Sequence, residues 1–96
     1  MRLRWAPAAA NDLQAISDYL IENHPSFAQS TIRKLYAAAH SLKRFPRRGR
    51  LGQVENTREL VISPLPYIIV YGIDADLVHV LRVIHGAEER QQSAFD

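Results

Sequence analysis

A change of hydrophobic period near the middle of the chain is the feature that most restricts the fold. Before residue 46, apolar side chains recur at steps of three and four, which is the spacing of amphipathic helices. After residue 57, Val, Ile and Tyr are concentrated in short runs between turn residues, which is typical of strands. The order predicts an α+β fold with the helices first. Because 96 residues suit one compact unit, we expect a single domain over residues 1–96.

The first half predicts two helices that form an antiparallel hairpin. The first is expected over residues 8–23, with Pro7 in its opening turn. After a break at Pro25, Ser26 is the expected cap of a second helix that runs to about Phe45. The connection is short, so the two helices are expected to lie side by side and pack on a small antiparallel sheet.

The remaining segments predict strands. Leu3 and Trp5 alternate with arginines, which indicates an N-terminal strand with one buried face. Three more strands, joined by short turns into an antiparallel meander, are expected over residues 58–63, 67–73 and 77–84. The middle one is apolar on both faces, so the hairpin should cover one side of it. From Ala87 the chain is polar and acidic, and we expect a short C-terminal helix or tail there.

Composition excludes several classes of site and location. The chain has no cysteine, and its histidines lack metal-ligand spacing, so no metal site is expected. It contains no apolar run of signal-peptide or membrane-spanning length. We therefore expect a cytoplasmic protein that does not enter a membrane.

Positive charge is concentrated in the centre of the chain. Residues 43–58 contain six basic side chains and only Glu55 as an acidic one, whereas residues 59–96 carry a net negative charge. Such a segment attracts acidic partners, either a nucleic-acid backbone or an acidic protein surface, although it could also serve only solubility. No recognition helix that would read DNA sequence is visible. The basic side chains before the predicted strands are Lys43, Arg44, Arg47, Arg48 and Arg50.

Five short motifs occur in a characteristic order along nearly the whole chain. They are Ala9-x-x-Asp12-Leu13-x-x-Ile16-x-x-Tyr19, Leu42 to Pro46, Thr57 to Leu60, Tyr67 to Tyr71 and Val80 to Gly86. In this order they resemble the RelE/ParE superfamily of bacterial toxins, and the last motif is most similar to the ParE branch. The resemblance implies the toxin of a type II toxin-antitoxin system that inhibits DNA gyrase without a cofactor. It also implies a ParD-like antitoxin that binds the toxin in a hetero-oligomer.

The same superfamily includes ribosome-dependent mRNA endonucleases of RelE type, so this alternative stays open. Its catalytic residues here would be Arg58, Arg82 and His85, which could stabilise phosphate charge and transfer protons. Against it, Ile68 stands where many ribonuclease members have an arginine, and the segment after Gly86 contains no tyrosine. A third alternative is a non-toxic module that only binds antitoxin.

Each candidate side chain also has a purely structural interpretation. Arg58 and Arg82 could pair with Glu59, Glu88 or an antitoxin carboxylate, and His85 could be a hydrogen-bonding residue at a strand end. The aromatic residues of the strands are more typical of a core than of base stacking. For the gyrase interpretation, we expect the contacts with target or antitoxin to come from Arg47, Arg48, Arg50, Arg58 and Arg82.

Overall fold

The computed structural model describes residues 1–86. The elements in chain order are β1 (Arg2–Trp5), α1 (Pro7–Asn23), α2 (Pro25–Ser41), β2 (Arg50–Leu51), β3 (Arg58–Val61), β4 (Tyr67–Asp74) and β5 (Leu77–His85). The predicted α+β class is confirmed, with the helical hairpin packed on the sheet. The tail or short helix predicted from Ala87 lies outside the described residues.

The sheet has the strand order β1-β5-β4-β3-β2. The predicted antiparallel meander is present, with β4 paired to β3 on one side and to β5 on the other. The expectation of a wholly antiparallel sheet was wrong, because β1 pairs with β5 in parallel. The sequence of β1 does not fix this direction, since its partner lies near the other end of the chain and is reached only through the whole helical hairpin.

The first helix was predicted closely, whereas the bounds of the second need two corrections. Helix α1 begins with Pro7 in its first turn and ends at Asn23. Helix α2 begins at Pro25, a residue that fits the first helical position because it needs no amide donor there. His24, not Ser26, therefore occupies the N-cap position, and it makes no side-chain cap.

The second correction concerns the end of α2, which lies at Ser41 and not near Phe45. Beyond Ser41 the amides of Lys43 and Arg44 bond to carbonyls three residues back, so the helix tightens into turns. Pro46 follows and disfavours a helical conformation at the residue before it.

The hairpin covers one face of the sheet. Leu60, Ile69 and Val83 are in register on three adjacent strands, and all three belong to a buried cluster with Ala39 and Leu42 of the α2 end. A second cluster joins Leu13, Leu35 and Tyr67. Neither helix of residues 1–86 is long and apolar enough to cross a membrane.

Candidate functional site

The basic loop, defined here as residues 43–50, connects α2 to the edge of the sheet. No strand was predicted between the second helix and residue 58, but Arg50 and Leu51 form β2 and pair with Glu59 and Arg58 of β3. A two-residue strand has no periodicity that could reveal it. The basic loop is therefore attached to the sheet at its C-terminal end.

A buried tyrosine holds the middle of the basic loop. The hydroxyl of Tyr71, on the central strand β4, donates a hydrogen bond of 2.7 Å to the carbonyl of Pro46. The same hydroxyl accepts one of 2.9 Å from the amide of Gly49. A Cβ atom at position 49 would lie 2.7 Å from the Tyr71 hydroxyl and 2.8 Å from the Glu59 carbonyl oxygen. Only glycine permits this close approach without a shift of the loop.

Arg58 forms a further contact with the basic loop. Its Nη1 donates to the carbonyl of Gly49 at 2.8 Å and, at a longer 3.5 Å, to that of Arg47. The Arg58 guanidinium therefore faces the loop backbone and helps to position it. Of the carboxylates suggested for Arg58 within the chain, Glu59 pairs with Arg50.

The remaining arginines of the basic loop differ in how far their charge is compensated. Arg50 forms a salt bridge of 2.9 Å with Glu59, a carboxylate that is buried beneath it. Arg48 donates to the Ser41 hydroxyl at 2.6 Å, which leaves its charge in place. Within residues 1–86 no carboxylate pairs with Lys43, Arg44, Arg47 or Arg48, and all four are exposed. These four side chains carry the exposed positive charge of the loop.

Arg82 is held by a carboxylate of the first helix. Its Nε and Nη2 donate to the two carboxylate oxygens of Asp12 at 2.6 and 3.0 Å. Asp12 also accepts the amide of Val83 at 2.9 Å, on a part of β5 that lies beyond its pairing with β1. This bidentate pair fastens α1 to the sheet and compensates the charge of Arg82. Of the partners proposed from sequence, Glu59 instead binds Arg50, and Glu88 lies outside the described residues.

Arg58 and Arg82 lie on opposite faces of the sheet. Arg58 is directly opposite Tyr71, which points towards the hairpin, whereas Arg82 is opposite Val70, the preceding residue of β4. Successive residues of a strand point to opposite faces. The two side chains therefore leave the sheet on opposite faces, and each guanidinium already has its own partner, the loop carbonyls for Arg58 and Asp12 of α1 for Arg82.

His85 lies apart from both arginines. It is paired with Tyr67, with the two rings edge to face at 5.8 Å. Tyr67 and Tyr71 are four residues apart on β4, which is about 13 Å along a strand. Arg58, Arg82 and His85 therefore do not converge on a common point in the sheet.

The other residues weighed from sequence have structural surroundings. Ile68 is 4% exposed and lies in register with Val61 and Ile84, so its surroundings are aliphatic. Tyr71 is fully buried, and Trp5 is half-buried with its ring 5.5 Å from that of Tyr36. Both support the interpretation of these aromatic residues as core. In the described part of the chain, no three His, Asp or Glu side chains are grouped so as to hold a metal ion.

A furrow runs between α1 and α2, separate from the basic loop. It consists of two adjoining clefts of about 670 and 430 Å³ that share Ser17, Ile32 and Tyr36. Leu13 and Trp5 line one end, and Ile21 lines the other. The sequence indicated the buried stripe of each helix but not this furrow, because it depends on how the two helices pack.

Comparison with known proteins agrees with this architecture. Residues 3–90 match the family described as ParE toxin of type II toxin-antitoxin system. Toxin RelE2 of Caulobacter vibrioides is 43% identical over 83 residues, covering 86% of this chain and 92% of the relative. Toxin Y4kP of Sinorhizobium fredii is 35% identical over 91 residues, covering 95% and 94%. A structure of the chromosomal ParDE system of P. aeruginosa has the same fold, with a TM-score of 0.81 at 24% identity over 88% of this chain and 95% of that one. The chain therefore belongs to the ParE family of type II toxin-antitoxin toxins, within the ParE/RelE superfamily.

Proposed function

We propose that this toxin acts by binding DNA gyrase and does not cut RNA itself. The observation that carries the proposal is the separation of the three residues that would form a ribonuclease site. Arg58 faces the basic loop, Arg82 starts from the opposite face of the sheet and is bound by Asp12 of α1, and His85 lies at the far end of β5. Stabilisation of a charged transition state requires donors already aimed at one point. A protein that acts by binding has no such requirement.

The basic loop is the proposed contact surface for the target. Lys43, Arg44, Arg47 and Arg48 are exposed, and the loop backbone is fixed by Tyr71. A rigid, positively charged surface suits an acidic target, and gyrase at work presents both an acidic DNA backbone and protein carboxylates. In this proposal Arg50, Arg58 and Arg82 support the surface, although the sequence suggested them as direct contacts.

The furrow between α1 and α2 is the proposed binding site of a ParD-like antitoxin. It is lined by apolar side chains such as Ile21, Ile32 and Tyr36, with Arg33 beside them. An amphipathic antitoxin segment with acidic residues could bury its apolar face there and pair with Arg33. The two proteins would form a hetero-oligomer in the cytoplasm, and binding would stabilise the small toxin.

The test combines two reactions on the same protein preparation. Purified toxin is added to gyrase, ATP and relaxed plasmid, and in parallel to a translation reaction whose mRNA is examined for cuts. We expect inhibited supercoiling and intact mRNA. The second reaction is needed because two relatives carry the names RelE1 and RelE2. Cut mRNA with unaffected gyrase would overturn the proposal, and so would no effect in either reaction.

Charge reversal then locates the contact surface. We expect Arg47→Glu with Arg48→Glu to raise the toxin concentration for half-inhibition about ten-fold, because electrostatic attraction speeds association. Arg4→Glu with Arg33→Glu is the control, since it makes the same change of net charge on exposed residues elsewhere. Arg50 is left intact, because its reversal would place two carboxylates together at Glu59. Equal effects of the two double variants would contradict the role of the basic loop.

A single substitution separates the two mechanisms further. If Arg82 stabilised a transition state, Arg82→Ala would lower RNA cleavage by orders of magnitude. We expect instead that Arg82→Ala lowers thermal stability, because it breaks the pair with Asp12, while the folded fraction still inhibits gyrase. Loss of all inhibition by a variant that circular dichroism shows to be folded would place Arg82 in the functional surface.

A further inference from the structure

A third cleft lies where the connection between the two helices meets the end of the sheet. Its volume is about 420 Å³, and its walls come from α1, α2 and the residue between them, from the β3–β4 connection, and from the first residue of β4 and the last of β5. Cavities of a few hundred cubic ångströms are typical of small-molecule sites. The basic loop and the furrow share no lining residue with it. Neither the proposed gyrase surface nor the proposed antitoxin site therefore accounts for it.

Two nearly buried residues line this cleft with hydroxyl groups that have no hydrogen-bond partner in residues 1–86. Thr31 is 6% exposed and Tyr67 is 8% exposed, and both contribute to the wall. Among the hydrogen bonds of residues 1–86, none involves either hydroxyl. Neither oxygen is sealed from solvent, because no buried unsatisfied side-chain atom occurs in the described part. Both hydroxyls are therefore accessible from the cleft and can form hydrogen bonds with a molecule bound there.

The mouth of the cleft carries exposed aromatic rings. Tyr19 is 55% exposed and Phe27 is 61% exposed, and both line the cleft. The ring of His24 lies between them, with centroids at 5.9 Å from Tyr19 and 6.3 Å from Phe27. Exposed rings in a row are suited to stacking against a planar base, which presents a π-face whatever its identity.

The polar groups of the cleft favour an anion. Lys34 is a cation in its wall, and His24 adds an imidazole group. Among residues 1–86, no carboxylate lines it. The phenol of Tyr67 is a hydrogen-bond donor at neutral pH, and burial, with a smaller effect of the nearby Tyr19, raises its pKa still further above neutrality. Rings at the mouth and donors in the interior together suit a ligand with a planar base and a phosphate.

We propose that this cleft binds a nucleoside monophosphate group, with the base stacked on Tyr19 and Phe27 and the phosphate held by Lys34, Thr31 and Tyr67. The group could belong to a free nucleotide or to the phosphorylated end of a single strand. Nucleotide binding at this site does not depend on which target the toxin inhibits. A negative result in the binding test would therefore leave the gyrase proposal intact, and the reverse also holds.

Calorimetric titration of the full chain provides the test, with AMP, GMP, CMP and UMP as free ligands. A short single-stranded oligonucleotide with a 5′-phosphate and its dephosphorylated form make up the second arm. We expect binding that requires both parts of the ligand, so adenosine and inorganic phosphate alone should each bind at least about ten-fold more weakly than AMP. Binding of AMP alone would identify a free nucleotide as the source, and binding of the phosphorylated oligonucleotide alone would identify a strand end.

Matched variants show whether binding occurs in this cleft. Lys34→Gln should weaken binding about ten-fold, because it removes a charged partner of the phosphate. Arg33→Gln is the control, because the adjacent residue loses the same charge but lines the furrow. Thr31→Val and Tyr67→Phe remove only the hydroxyls and should also weaken binding. No binding of any nucleotide at millimolar concentration would overturn the proposal, as would equal effects of Lys34→Gln and Arg33→Gln. Phosphate binding as strong as AMP binding would overturn it too.

Discussion

The helical hairpin and the basic loop are attached to the sheet by different kinds of contact. The hairpin is fixed by buried apolar side chains, among them Leu35 and Ala39, neither of which is exposed at all. The basic loop is fixed mainly by polar groups, namely the Tyr71 hydroxyl, the Arg58 guanidinium and the salt bridge of Arg50 with Glu59. Apolar packing is spread over many atoms, whereas each polar contact depends on one or two atoms. The loop can therefore be released by changes that leave the hairpin in place.

The largest effect is expected where the hairpin meets the core. Leu35→Ala should lower the free energy of unfolding by about 2–5 kcal/mol, because it removes buried surface and leaves a cavity beside Leu13 and Tyr67. Urea denaturation measures this loss. Ile21→Ala is the control, since Ile21 is 61% exposed and should change stability by less than about 0.5 kcal/mol. Similar losses of unfolding free energy in the two variants would contradict the view that buried apolar side chains fix the hairpin to the sheet.

The sequence predicted the hairpin better than the loop for the same physical reason. Periodicity reports which side chains a helix or strand buries, and it placed α1 and the three-stranded meander nearly as the structure has them. It could not reveal the pairing of Arg82 with Asp12, because 70 residues separate them. Nor could it show that the hydroxyl of Tyr71 binds the loop 25 residues before it. These contacts depend on the completed fold and leave no local pattern.

The same limit affects the candidate site. The sequence singled out Arg58 and Arg82 by residue type and strand position, and both are indeed in the sheet. The face of the sheet from which each arginine projects depends on the strand register with β4. The register between β4 and β5 contains an irregularity between Val70 and Tyr71. The separation of the two arginines was therefore not accessible from residue types. The cleft with Thr31 and Tyr67 was missed as well, since each residue is ordinary in its own element.

An intermediate effect is expected from steric pressure on the basic loop. Gly49→Ala should cost about 2 kcal/mol of unfolding free energy, because the added Cβ would overlap the Tyr71 ring and the Glu59 carbonyl. Gly72→Ala is a matched control on β4, where the nearest atom to the new Cβ is the Asn56 carbonyl oxygen at 3.5 Å. That variant should differ from the original by less than about 0.5 kcal/mol in urea denaturation. If both cost the same, the close approach of the loop to Tyr71 would be refuted.

The smallest change in stability, and the most specific, is expected from Tyr71→Phe. It removes only the hydroxyl and should cost about 1 kcal/mol, since the Gly49 amide and the Pro46 carbonyl lose their partner. The ring still fills the core, so the hairpin should keep its protection. Hydrogen exchange of the Gly49 amide should rise sharply while that of helix α2 is unchanged.

Tyr36→Phe is the control, because its hydroxyl makes no hydrogen bond within residues 1–86. Unchanged exchange at Gly49 would show that the loop is held by Arg58 and Arg50 alone. Faster exchange combined with weaker gyrase inhibition would connect the fixed conformation of the loop to the proposed activity.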